Sequence, residues 1–317
     1  TFERLDMLFI LTYADAVTTG PEAFSDWKAS LLRNLYQRTR RALKSGAGHP
    51  GLAKRAAVRI KEITNRLAGS NQRLLRLANQ FTHRHLVTHR FDLLQRHSHS
   101  LEEAQESGVS VSIRFEETSE RWEIIVSCAD HAGLLSDLTG VLAARGISVG
   151  GAYTDTTLNG YAICTFETSA LKDSLLANEN KRGQICSQLK EKALRQGGDY
   201  APEIKKRRRR ARHSTSRVPV SQTRVVYDSE ATDASTVMDV FTPDRVGVLH
   251  LIARAIFDEG VLIEQARITT EGERAVDSFY IVEAVTKEPL QEESRRRLAS
   301  TITQVCTKAL QELDIPA

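Results

Sequence analysis

The 317-residue sequence predicts an α+β fold: a helical N-terminal segment followed by two copies of one βαββαβ unit. Three observations carry this. Apolar residues recur every three or four positions up to about residue 108, and every second position from Val109 on. A strand–helix–hairpin block then returns at a fixed offset of 114 residues. With 41% hydrophobic and 26% charged residues, the composition is that of a globular protein and excludes a disordered tail or a collagen-like fibre.

In the helical segment, Leu5, Leu8, Phe9 and Thr12 share one side of a first helix, and Gly20-Pro21 breaks it. Ser25 or Asp26 is the candidate cap of a second, striped by Trp27, Leu31 and Leu35. The Ser45–Gly51 loop follows, then a third stripe of Ala56, Ile60, Ile63 and Leu67. Gly69-Ser70-Asn71 separates it from a fourth, formed by Leu74, Leu77, Ala78 and Phe81. The apolar run Leu5–Val17 is too short to span a bilayer and is interrupted by Asp6 and Asp15. No basic segment precedes it and no small-residue cleavage site follows, so a secretory signal is not expected. Thr1 lies inside an amphipathic pattern, and the chain reads as a piece of a longer protein.

The first repeat opens with alternating Val109, Val111, Ile113 and Phe115, a polar turn at Glu116–Glu120, and the buried-strand pattern Trp122–Cys128. Asp130-His131-Ala132-Gly133 leads into an amphipathic helix. At an offset of 114, Asp130 falls on Asp244, Gly133 on Gly247, Leu135 on Leu249, Gly146 on Gly260 and Ala152 on Ala266. Two strands follow in each copy, Ile147–Thr156 with Gly160–Phe166 and Val261–Thr270 with Arg274–Val282. Helices are expected around Lys181–Arg195 and Gln291–Glu312. A fourth strand closes a ferredoxin-like βαββαβ pattern. Thr223–Tyr227 is the candidate for the first unit, while that of the second is short, absent or borrowed.

The net charge of +4 comes from Lys205–Arg212 (KKRRRRAR); without it the chain holds more acids than bases. That argues against a globally basic nucleic-acid binder. The run could bind nucleic acid or act as an import signal, but no aromatic residue is interleaved to stack on bases, and the plain alternative is a mobile cationic linker between the repeats. Cys128, Cys164, Cys186 and Cys306 form no CxxC pair, which points to reduced thiols in a cytoplasm. Five histidines cluster at His83, His85, His89, His97 and His99. His85 and His89 stand at i, i+4, a spacing that can bind zinc, but no Glu completes an HExxH frame and basic residues crowd the pair, so a solvated, partly pH-sensitive helix face is the favoured reading over a metal site.

Duplicated Asp130–Leu135 (DHAGLL) and Asp244–Leu249 (DRVGVL) turns in such units resemble the ACT domain, a small-molecule sensing module usually tuned to amino acids. Many of its members have proline where Ala132 and Val246 stand. Leu11–Thr18 (LTYADAVT) followed by Trp27–Tyr36 (WKASLLRNLY) resembles the last HD-domain helices of the bifunctional uridylyltransferase/uridylyl-removing family, whose members modify the nitrogen-signalling PII protein. Lys54–Leu67 and Arg84–His97 resemble that family's connecting region. The expected organisation is an HD remnant with connecting helices over residues 1–118, a first ACT domain with a basic insertion over 119–229, and a second over 230–317.

The resemblance implies a C-terminal regulatory region that binds glutamine and controls UMP transfer to and removal from PII. The implied effector residues are Asp130, Gly133, Leu134, Asp244, Gly247 and Val248. Each turn precedes a helix N-terminus, whose N–H groups and dipole suit an α-carboxylate. Asp130 and Asp244 are either helix caps or partners of an α-ammonium. No Gly-Ser loop with a D-x-D pair and no His-Asp pair is present, so catalysis belongs to missing N-terminal domains. By resemblance Asp15 matches the last HD metal ligand, here a remnant of an incomplete site. No cofactor is expected in this chain; Mg2+ is expected for the intact parent. PII, the missing domains and a homo-oligomeric ACT contact are the implied partners, and a membrane or nucleic acid is not. A free-standing tandem-ACT interaction protein is the alternative, and it would bury the leading helices.

Overall fold

The computed structural model describes residues 2–18, 52–66, 76–117, 119–169, 174–195, 197–211, 223–228, 235–271 and 274–314, with single residues and pairs between 32 and 40. The chain divides into two compact units, Thr1–Glu62 and Ile63–Ala317. Among the described residues no helix is long and apolar enough to cross a membrane.

In the first unit, α1 (Phe2–Thr18) runs through the predicted stripe. Tyr36 is held against it, its hydroxyl donating to Asp6 Oδ1 at 2.7 Å and its ring 4.5 Å from Phe9. Met7, Leu8, Ile10 and Leu11 stay exposed. The predicted break at Gly20-Pro21, the caps Ser25 and Asp26, Trp27, Leu31 and the Ser45–Gly51 loop lie outside the described residues. Helix α2 (Leu52–Arg66) crosses from the first unit into the second and buries Ala56 and Ile63 of the third stripe; Leu67, Gly69-Ser70-Asn71 and Leu74 are again outside the described residues.

The second unit is built on one eight-stranded antiparallel sheet. In chain order its elements are α3 (His83–Thr88), α4 (Phe91–Ser107), β1 (Val109–Glu116), β2 (Arg121–Ala129), α5 (Leu134–Arg145), β3 (Val149–Thr156) and β4 (Tyr161–Ser169). Next come α6 (Ser174–Ala177), α7 (Glu179–Leu194), α8 (Ala201–Ala211), β5 (Arg224–Asp228), β6 (Thr236–Pro243), α9 (Val248–Asp258), β7 (Val261–Glu271), β8 (Arg274–Glu283) and α10 (Glu292–Asp314). The strand order β1-β2-β4-β3-β7-β8-β6-β5 reads the same from either end when the repeats are exchanged. The repeats join through β3 and β7, where Tyr153 stands opposite Arg267. These two residues are themselves equivalent across the repeats, so a pseudo-two-fold axis passes between them.

The α+β fold with two ferredoxin-like repeats is present, but the closing strand enters from the other side. Thr223–Tyr227 does not close the first repeat: Arg224–Asp228 pairs with β6 of the second. The first repeat is closed by β1, which forms a hairpin with β2. Each repeat therefore runs ββαββα. A strand placed just before its neighbour needs only a hairpin, whereas one after the last helix must return across the unit.

Alternation along β2 divides its side chains between two layers. Ile124, Val126 and Cys128 join the main core with α5, α7 and α9. Glu123 and Ser127 face α4, where Arg96 and Ser100 meet them at 2.9 and 2.8 Å. The first repeat is thus covered on both faces.

The basic run is a second correction. Ala201–Ala211 is helix, not a mobile linker, because Tyr200, Ile204 and Arg208 are buried at i, i+4 and i+8. Arg207 Nε donates to the Ala144 carbonyl at 3.2 Å near the end of α5.

Candidate functional site

The Asp130–Gly133 turn and the start of α5 form one wall of a cavity of about 850 Å³. The opposite wall comes from the second repeat: Phe257 of α9, Ile263, Glu264 and Gln265 of β7, Tyr280 of β8, and Lys287 beyond it. Thr82 and Arg84 of the α3 region close one side.

Gly133 begins α5 with φ +83°, a left-handed conformation that a side chain disfavours, and an added Cβ would stand 3.1 Å from the Phe257 ring. The N–H groups of a helix's first turn have no partner within the helix. Leu134 uses its own on the His131 carbonyl at 3.2 Å, and Leu135 and Ser136 follow along the cavity wall. Asp130 accepts from Thr156 Oγ1 at 2.6 Å, so the sequence alternative of a side-chain cap is not realised: α5 has no side-chain cap bond. Burial pushes the Asp130 carboxyl up, with the Thr156 bond, His131 and Lys287 opposing.

Glu264 faces the same cavity, its carboxyl raised by burial and drawn back by Lys287. Arg84 lies 4.0 Å over the Tyr280 ring and donates to Gln265 Oε1 at 2.9 Å. Three carboxylates (Asp130, Asp155 and Glu264), two cations and a helix N-terminus therefore converge on one apolar-walled space. Such a set can neutralise both ends of a small zwitterion and leave a side chain against Phe257 and Ile256.

The second turn is arranged differently. Asp244, Gly247 and Val248 line a cavity of only about 30 Å³, opposite Ile147–Val149 of the first repeat. Helix α8 lies over it. Arg208 Nε donates to the Val246 carbonyl at 2.8 Å, and a Cβ on Gly247 (φ +80°) would meet Ile204 Cγ2 at 2.7 Å. The six sequence-predicted effector residues thus fall into two places: Asp130, Gly133 and Leu134 on the open cavity, Asp244, Gly247 and Val248 beneath α8. Arg84, Glu264, Gln265 and Lys287 were not foreseen. Arg84 precedes both repeats, and Glu264, Gln265 and Lys287 have no like residue 114 positions earlier, so the repeat frame carries no trace of them.

Asp15 is exposed on α1, and among the described residues no group of three His, Cys, Asp or Glu side chains includes it. It does not fit a Mg2+ site alone, since that ion takes six oxygen ligands and Asp15 supplies one side chain. The histidine cluster reverses expectation. His83 and His99 are exposed, but His85, His89 and His97 are buried between α3, α4 and the sheet, not on a solvated face. All four cysteines are free thiols.

Residues 122–179 match the ACT domain family. That stretch belongs to the first repeat, and the doubled sheet with its two helix-starting turns gives the second repeat the same ββαββα arrangement. Over 98% of its length the chain is 31% identical to the bifunctional uridylyltransferase/uridylyl-removing enzyme of Rhodospirillum rubrum, 34% of which is covered. The enzymes of that name from Erythrobacter litoralis (28% identity, 93% of this chain, 32% of the relative) and Azospirillum brasilense (31%, 93%, 32%) agree. The chain's resemblance is thus to the bifunctional uridylyltransferase/uridylyl-removing enzymes, and it spans about a third of their length. Among solved structures, the aspartate kinase of Synechocystis covers 60% of this chain and 27% of its own at 11% identity, with a TM-score of 0.33, too low to carry an argument.

Proposed function

We propose that this chain is the glutamine-sensing regulatory region of a longer enzyme that transfers UMP to the PII protein and removes it. The observation that carries the reading is the open cavity of the first turn, where Asp130 and Glu264 face Lys287, Arg84 and the start of α5. Glutamine's α-carboxylate is directed to the helix N-terminus and Lys287, and its α-ammonium to Asp130 or Glu264. Filling the cavity stiffens the contact between the repeats and shifts the balance of the two activities. A coupling of about 1–3 kcal/mol is enough for such a switch. High glutamine then favours removal of UMP, and low glutamine its transfer. The exposed Met7, Leu8, Ile10 and Leu11 of α1 support a face that further domains cover, against the free-standing alternative. On this reading the protein works in the cytoplasm, and Mg2+ serves the catalytic domains of the longer enzyme.

The test is a thermal-shift panel of the twenty amino acids. Ligand at a hundred times Kd stabilises a one-site fold by about 2.7 kcal/mol. That is several degrees at about 2–4 °C per kcal/mol. Glutamine alone is expected to shift the midpoint, and Asp130→Asn to abolish the shift while Asp244→Asn keeps it. A shift preserved in Asp130→Asn but lost in Asp244→Asn would move the site beneath α8. No shift with glutamine, on this chain or on the longer enzyme, would overturn the reading.

A further inference from the structure

We infer that His85, His89 and His97 form a binding site for a single divalent ion of the zinc class. One nitrogen from each ring lies within 4.8 Å of the others, and all three residues are buried. The closest pair, His85 Nε2 and His97 Nδ1, is 3.0 Å apart. Tetrahedral zinc with Zn–N bonds of about 2.0–2.1 Å holds its nitrogens roughly 3.3 Å apart. The cluster therefore needs rotation of one ring, not movement of a helix.

The outer contacts match what metal-bound histidines require. His85 turns its other nitrogen, Nδ1, to Asp155 Oδ2 at 3.1 Å, and Asp155 is held in turn by Thr82 Oγ1 at 2.7 Å. A carboxylate behind a ligating imidazole fixes its tautomer and offsets part of the ion's charge. His97 turns Nε2 to Thr165 Oγ1 at 2.8 Å. Without metal, His85 donates to Asp155, His97 Nδ1–H donates to His85 Nε2, and Thr165 donates to His97 Nε2. With metal, both His85 Nε2 and His97 Nδ1 turn lone pairs to the ion. The proton that leaves His97 Nδ1 is matched by one taken up at Nε2, which then donates to Thr165, so His97 stays neutral. Burial and the neighbouring rings hold the His89 and His97 imidazoles neutral well below the usual histidine range, the form a metal needs.

Tyr153 packs edge-on to His89 at 4.1 Å, but its hydroxyl is engaged by Gln265 and kept protonated by burial. The fourth coordination place then goes to water. Nitrogen donors with one open place suit zinc and cobalt over magnesium or calcium.

The experiment uses the whole chain, stripped of metal by a chelator and titrated with Co2+ at neutral pH. Tetrahedral cobalt absorption is expected to saturate at one ion per chain and to be displaced by Zn2+, which also raises the melting temperature. His89→Gln, the mildest change because His89 ends α3, is expected to abolish the absorption with the circular dichroism unchanged. Asp155→Asn is expected to weaken Co2+ binding about 10–100-fold. His99→Gln, on an exposed part of α4, keeps full binding. No saturating absorption in the wild-type chain would overturn the inference and leave the cluster a hydrogen-bonded core only. Absorption that survives in both folded variants would do the same.

Discussion

Ser136 and His250 stand at equivalent positions of the two repeats, 114 residues apart, and they touch: His250 Nδ1 donates to the Ser136 carbonyl at 2.9 Å. Equivalent residues meet only beside an axis that exchanges the copies. On the sheet the same axis passes between Tyr153 and Arg267, so helices α5 and α9 cross above the point where β3 and β7 join. The contact is not itself symmetric, because a histidine faces a serine. The Tyr200 ring leans edge-on against His250 at 5.4 Å and ties α8 to the same place. His250→Ala is expected to destabilise the fold by about 1–3 kcal/mol, through an unmet carbonyl and lost packing. His99→Ala, at an exposed pair with Glu103, is expected to stay within about 0.5 kcal/mol. Urea unfolding of the two variants checks this; equal midpoints would contradict it.

The second turn is closed by contact, and a double-mutant cycle can read it. Gly247→Ala places a Cβ 2.7 Å from Ile204 Cγ2 and forces an L residue to φ +80°. Ile204→Ala alone leaves a void where a buried side chain stood. In the double variant the overlap is gone and only the backbone strain remains. The combined loss of stability is expected to fall short of the sum of the single losses by about 0.5–3 kcal/mol. Additive losses would mean that Ile204 does not rest on the turn.

Helix α8 also makes a prediction about protease access. A mobile basic run would be cut by trypsin at once. Arg208 is buried and Arg207 is bonded to Ala144, so native cleavage after Lys205–Arg208 is expected to be slow. Raising salt to about 0.5 M should not speed it, because screening weakens exposed charges far more than buried contacts. Tyr200→Ala should speed it at least several-fold by loosening the anchor. Mass spectrometry of the timed fragments tests this, and rapid wild-type cleavage at these bonds would refute docking.

The repeat, its turns and its hairpins were legible because they are local: Asp130 and Gly133 recur as Asp244 and Gly247 within one short pattern. The closing strands were not. Thr223–Tyr227 reads as a strand from its own residues, but which edge it joins depends on register with β6. The basic run hid a signal that was present, Tyr200, Ile204 and Arg208 at helical spacing, behind its count of charges. The histidines misled for a related reason. His85, His89 and His97 look polar and exposed by type, and only the packing of α4 on the sheet face carrying Asp155 and Thr165 buries them. Half of the cavity wall, Glu264 and Lys287 among it, comes from the other repeat and breaks the internal symmetry.

Asp277 gives the fold a pH dependence of definite sign. It lies fully buried on β8, and burial pushes its carboxyl up to about 8, with Asp244 adding to the rise and the Thr269 backbone opposing it. In the unfolded chain the same group titrates near about 3.9. Between those values the folded protein holds a proton that the unfolded chain has released. Stability must then fall as pH rises from about 4 to about 8, by at most about 1.4 kcal/mol per pH unit, and level off above. The neighbouring Cys306 thiol, itself pushed up to about 12, stays neutral throughout and adds no slope there. Asp277→Asn is expected to flatten this part of the profile and to be the more stable protein at about pH 8. Urea midpoints measured across the window decide it. A variant with the wild-type slope would show that Asp277 is ionised in the fold, and that its charge is met by a partner strong enough to offset complete burial.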